Sequence, residues 1–195
     1  MAKFSVTFPN IHCNQITTPR ECSDQVYFVA IPTLISKAKD GEDPKKIELP
    51  AVISEWNPGV QPGNNYLPVL RDGRKEIVVD VPEDADKLVV AVALAERDNG
   101  ATYEKLLSDA HAQYKPRPEW TEIKNVVPDD PTSITGWVKG VLGFLFSLVS
   151  AWIDDDLIAT QSFEVDLTKP HGTAFQRFVG SGGDYIVNLE WRRLK

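Results

Sequence analysis

One stretch constrains this chain more than any other: Ile134 to Ile153, reading ITGWVKGVLGFLFSLVSAWI, whose single charge is Lys139. A helix of twenty residues spans about 30 Å, the hydrocarbon thickness of a bilayer. A helix that is apolar on every side must be covered by protein or by lipid. On a helical wheel Gly136, Gly140, Gly143, Ser147, Ser150 and Ala151 fall on one face, while Trp137, Val141, Phe144, Leu145, Leu148, Val149 and Trp152 cover most of the rest. Gly136-x-x-x-Gly140 and Gly143-x-x-x-Ser147-x-x-x-Ala151 are small-residue repeats that let backbones approach closely, as in helices that associate in lipid. Three covers fit: the body of the same protein against the small face, a second copy, or a membrane. Each glycine costs a helix about 1 kcal/mol relative to alanine, so packing has to stabilise this one.

The rest of the chain bounds the choice. Its 195 residues, 42% of them hydrophobic, are enough for one domain with a proper core. A net charge of −7 with no basic stripe argues against nucleic-acid binding. It also means repulsion from anionic lipid unless cations bridge the two. The opening MAKFSVTFPN has no apolar signal-peptide core, so a cytoplasmic start is expected, with later release by another route left open. Cys13 and Cys22 are either two reduced thiols or one loop clip. His12, His111 and His171 are scattered, without zinc-ligand spacing.

Alternation and β-branched content predict strands over residues 3–12, Gln25 to Ile35, Ile47 to Ser54 (interrupted by Pro50), Lys75 to Val81, Leu88 to Ala95, Leu157 to Leu167 and Tyr185 to Arg193. NPGVQPGNN, Asn57 to Asn65, reads as a loop. Thr102 to Ala112 has helical spacing, and Lys115 to Pro131 reads as a proline-rich connector. Thr132 or Ser133 can cap the apolar helix, and Asp154 to Asp156 end it. Gly180-Ser181-Gly182-Gly183 precedes a strand, so it is a turn and not a nucleotide loop. The expected fold is mainly β: a single antiparallel β-sandwich domain of about eight strands over 1–195, with a helical insertion over approximately 99–153.

Acidic residues gather at the predicted strand ends: Glu21 with Asp24, Glu96 with Asp98, and Asp154-Asp155-Asp156. Their order along the chain predicts convergence at one end of the sandwich. There they are solvated, or neutralised by a cation such as calcium, which takes 6–8 oxygen ligands. Ser23-Asp24-Gln25-Val26-Tyr27-Phe28, Glu96-Arg97-Asp98, Asp155-Asp156-Leu157-Ile158-Ala159 and Gly183-Asp184-Tyr185-Ile186-Val187-Asn188-Leu189 follow one another as the "SDPYV", "D-x-D" and "DDFIG" runs and the last strand do in C2 domains. The chain therefore resembles the C2 domain, the calcium-dependent phospholipid-binding sandwich, over most of its length outside the insertion. Its opening is also similar to bacterial proteins of this general type. The resemblance implies calcium ligation by Asp24, Glu96, Asp98, Asp155 and Asp154. The chain departs from the pattern in Glu96, which replaces an Asp, and in Arg97, which brings a cation beside the site.

The insertion falls in the loop that dips into the bilayer in that family. The expectation is a non-enzymatic membrane-targeting or membrane-disrupting, toxin-like protein. Trp137, Val141, Phe144, Leu145, Leu148 and Trp152 would meet a phospholipid membrane, the two indoles lying at the interface. The small helix face would support a homo-oligomer. The alternative is a soluble interaction module with the helix buried in the fold or in a dimer. No nucleophile–base pair or phosphate loop points to an enzyme, although paired acids such as Glu96 and Asp98 are of the type that does acid–base work.

Overall fold

The computed structural model describes residues 1–17, 23–37, 45–97, 121–122, 134–150 and 156–195, with the backbone alone for 121–122, 134–137, 148–150 and 156. The strands are β1 (Ala2–Thr7), β2 (Ile11–Gln15), β3 (Asp24–Ser36), β4 (Lys45–Glu48), β5 (Val52–Ile53), β6 (Asn57–Val60), β7 (Asn65–Tyr66), β8 (Glu76–Val81), β9 (Ala85–Glu96), β10 (Thr121–Glu122), β11 (Asp156–Asp166), β12 (His171–Gly180) and β13 (Gly183–Leu194), with helix α1 (Ile134–Ser150) before β11. Among the described residues eight strands run five residues or longer and five are shorter, which is how the count exceeds the expected eight.

They form two antiparallel sheets. One runs β7-β2-β13-β1-β8, with β12 also on β13; the other runs β10-β4-β3-β9-β11, with β5 and β6 also on β3. The sheets face each other across one core. Phe4 and Val6 of β1, with Phe178, Tyr185, Val187 and Leu189 of β12 and β13, meet Val26, Phe28, Val90, Val92, Leu94 and Phe163 of the other sheet. Phe8 lies 4.5 Å from Phe28 and 6.1 Å edge-on from Phe163, ring centre to ring centre, tying the layers together.

The size alternation along β9 sets up a second core. Leu88, Val90, Val92 and Leu94 point between the sheets, while Val89, Ala91, Ala93 and Ala95 point to the opposite face. Tyr27, Val29, Ile31 and Ile53 share that outer face. Helix α1 covers it, burying Val141 (8% exposed) and Leu145 (0%) against these residues.

Several expectations are corrected. The strand expected over 3–12 is broken at residues 8–10, where Pro9 cannot donate a ladder hydrogen bond. That over Ile47 to Ser54 is likewise split, into β4 and β5, around Pro50. The expected Asn57 to Asn65 loop contains β6 and the first residue of β7. β12 is a further strand that the sequence does not mark, because its alternation is mixed: the outward row carries Phe175 and Val179 among His171, Thr173 and Arg177, and the inward row carries Gly172 and Gln176. The helix has 17 described residues, and among the described residues no helix is long and apolar enough to cross a membrane. The expected helix over Thr102 to Ala112 lies outside the described residues.

Candidate functional site

Two of the predicted acids meet at one end of the sandwich. Asp24 opens β3 and Glu96 closes β9; register pairs Glu96 with Val26 on one side and with Asp156 of β11 on the other. The acidic strand ends therefore converge along the backbone as the chain order implies. Asp24 shares the parity of Val26 and Phe28, and Glu96 that of Leu94, so both side chains turn inward between the sheets. They are 0% and 2% exposed.

These carboxylates have partners on neighbouring elements. Asp24 Oδ2 accepts the backbone N–H of Thr17 at 2.7 Å and the hydroxyl of Tyr185 from the facing sheet. Thr17 Oγ1 donates to Glu96 Oε2, so one residue links both acids. Asp24 Oδ1 is buried without a hydrogen-bond partner among the described residues. Burial, then the Asp24 carboxylate, drives the Tyr185 hydroxyl far above the usual tyrosine range, so it stays protonated and donating. Burial also pushes up the thiol of Cys13; a hydrogen bond with Tyr185 opposes that, and the charges of Asp24 and Asp184 add to it.

A glycine turn closes this end. Gly182 has φ +82°, which favours glycine, and a Cβ there would meet the Thr17 carbonyl at 3.0 Å. Gln15 donates to the Gly182 carbonyl at 2.8 Å, and Ser181 Oγ donates to Leu157 O at 2.9 Å.

Arg97 does not bring its charge to Asp24 and Glu96. By alternation it leaves the other face of β9, and its guanidinium sits 4.0 Å over the Trp56 ring, beside the outer core. Asp98, Asp154, Asp155 and Glu21, with Cys22, lie outside the described residues. Among the described residues no group of three His, Cys, Asp or Glu side chains is placed to hold a metal. Asp24 Oδ1 is the one oxygen of the Asp24 carboxylate left over for a cation, because Oδ2 is already occupied by two donors.

The helix residues divide. Val141 and Leu145 are buried on the sheet, and Val138, Leu142 and Phe144 are partly buried there. The small face is placed the other way from the expectation. Gly143 is exposed with nothing within 4 Å of a Cβ built on it, and Ser147, also exposed, donates back to Gly143 O at 3.0 Å. Phe146 beside them is 55% exposed. The reason is in β9: Ala91, Ala93 and Ala95 supply the small surface, so the helix presents its larger residues to it. The side chains of Trp137 and Leu148, and all of Trp152, lie outside the described set.

Thr17, Tyr185 and Cys13 are the partners that sequence reasoning missed. They are single polar residues in separate strands and loops, and no spacing marks them. No protein-family model and no curated protein matches this chain.

Proposed function

We propose that this chain is a non-enzymatic interaction module in which the apolar helix is a permanent part of the fold. The observation that carries it is Leu145, 0% exposed, seated with Val141 on the alanine face of β9. Undocking the helix would return both side chains to water, at about 1.5–3 kcal/mol each, and would uncover the apolar outer face beneath. The acids at the end of the sandwich support the non-enzymatic reading: Asp24, Tyr185 and Glu96 are buried and bonded to protein donors or acceptors, where a substrate does not reach them. Deleting residues 134–150 tests the reading. It expects loss of the cooperative melt and strong binding of a hydrophobic dye. A deletion variant that melts as the full chain does would refute it.

A second reading rests on Phe146, which leaves the helix exposed on its outward face. In it the docked helix lies flat on a phospholipid surface, as the C2 resemblance suggests, and calcium offsets the protein's negative charge. Asp24, with Glu96, would hold the ion, and calcium would supply the positive charge that draws anionic lipid. Co-sedimentation with phosphatidylserine vesicles, in calcium and in chelator, separates the readings. Binding that is lost on Phe146→Ala favours the lipid surface, and no binding under either condition removes it.

A further inference from the structure

The two sheets end differently. Among the described residues β8 is last in its sheet and pairs only with β1, in an unbroken six-residue register from Ala2↔Val81 to Thr7↔Glu76. Among the described residues no backbone hydrogen bond from elsewhere reaches its outer edge. Edge strands are normally blunted by lysine, proline or a bulge. β8 has none of these within its length and carries two acids instead, Glu76 and Asp80, on either side of Val78 along its outward face. Ile77, Val79 and Val81 point into the core. Beside the Asp80 end, between β8 and β4 of the other sheet, lies a cavity of about 370 Å³, walled by Leu34, Ile47, Leu49, Pro50 and Pro82 with Glu48 and Asp80.

We propose that the free edge of β8 takes an extended peptide as an added antiparallel strand, with basic residues at its outward positions and apolar residues at its inward ones. Strand addition satisfies the unpaired backbone groups and leaves specificity to alternate side chains. Apolar residues at the inward positions continue the apolar inner face formed by Ile77, Val79 and Val81. Outward, a lysine or arginine falls opposite Glu76 and another opposite Asp80, with an apolar residue opposite Val78. The same acids exclude a second copy of the chain. Two β8 edges paired about Val78 would set Glu76 against Asp80 twice, and like charges directly opposite destabilise a sheet. Lys3 lies 3.5 Å from Asp80 and Arg192 3.6 Å from Glu76, both on the side of β1 and β13, away from the open edge.

The test uses the full chain and two capped, fluorescein-labelled hexapeptides, LKVVVK and LEVVVE. The anisotropy of the first rises to saturation, and the second binds about tenfold or more weakly. Asp80→Asn, a surface change, weakens LKVVVK about threefold. Amide exchange in residues 76–81 slows when LKVVVK is bound. The proposal is overturned by any of four results: no saturation, equal affinity for the two peptides, unchanged exchange in β8, or a dimer of the free protein that itself protects β8.

Discussion

Tyr185 of one sheet donates its hydroxyl to the Asp24 carboxylate of the other, and both side chains are wholly buried. The bond joins the two layers where the strand ends bring acids together. Because Thr17 bonds Asp24 with its N–H and Glu96 with its hydroxyl, the three elements behind these residues are held in one network. Tyr185→Phe removes the inter-sheet donor and leaves Asp24, among the described residues, with the Thr17 N–H at 2.7 Å as its donor. The expected loss is about 1–3 kcal/mol in urea unfolding, the cost of leaving a buried polar group unpaired. A double-mutant cycle with Asp24→Asn should show coupling, because the two changes share one bond.

Burial at the same site makes stability sensitive to alkali. Tyr185 and Cys13 both have folded pKa values raised above their ordinary 10.0 and 9.0. Their contribution is therefore complete below those values and is lost as pH rises toward the folded ones. From about pH 9 upward the unfolded chain releases protons that the folded chain keeps. Stability should fall by up to about 1.4 kcal/mol per pH unit for each group. Cys13→Ser should move the onset up by about one pH unit, as read from urea midpoints between pH 7 and 11.

The two faces of the helix should answer differently to substitution. Leu145→Ala opens a cavity over β9 and is expected to cost about 2–5 kcal/mol. Phe146→Ala, on the outward face, should change stability by about 0.5 kcal/mol or less. Equal effects from the two variants, in the same urea titration, would contradict the placement of the helix.

Much of this was legible in the sequence. Apart from β12 and the short strands, the strands of both sheets followed from alternation and β-branched content wherever proline did not interrupt them, and chain order foretold that Asp24 and Glu96 would converge. The orientation of the helix was also written there, in the large–small alternation of Leu88 to Ala95. A helical wheel reads one element at a time, so it assigned the small side of the contact to the face of Gly143 and Ser147 when the sheet supplies it. The network around Asp24 was not legible. Thr17 and Tyr185 lie far apart in sequence, and only the closing of the sandwich brings them together. Nor did the sequence distinguish solvated ligands from buried hydrogen-bond acceptors, since both call for a carboxylate at a strand end.

The glycine turn gives a local check. A Cβ at Gly180 would fall 1.9 Å from the Ile158 carbonyl oxygen, so backbone has to move to admit Gly180→Ala. A Cβ at Gly73 meets nothing within 4 Å, but φ there is +80°, so Gly73→Ala has only the left-handed conformation to bear. That conformation costs a side chain about 1 kcal/mol. Gly180→Ala should lower the thermal midpoint by clearly more than Gly73→Ala does.

The central claim is that α1 belongs to the folded sandwich and stays there. Native-state amide hydrogen exchange over residues 134–150, with and without phosphatidylserine vesicles and calcium, tests it most directly. The account predicts that these amides open only together with β9, at the free energy of global unfolding, and that vesicles leave their exchange unchanged. Opening of the helix while β9 stays protected, or faster exchange along the outer face of β9 when vesicles are added, would contradict it.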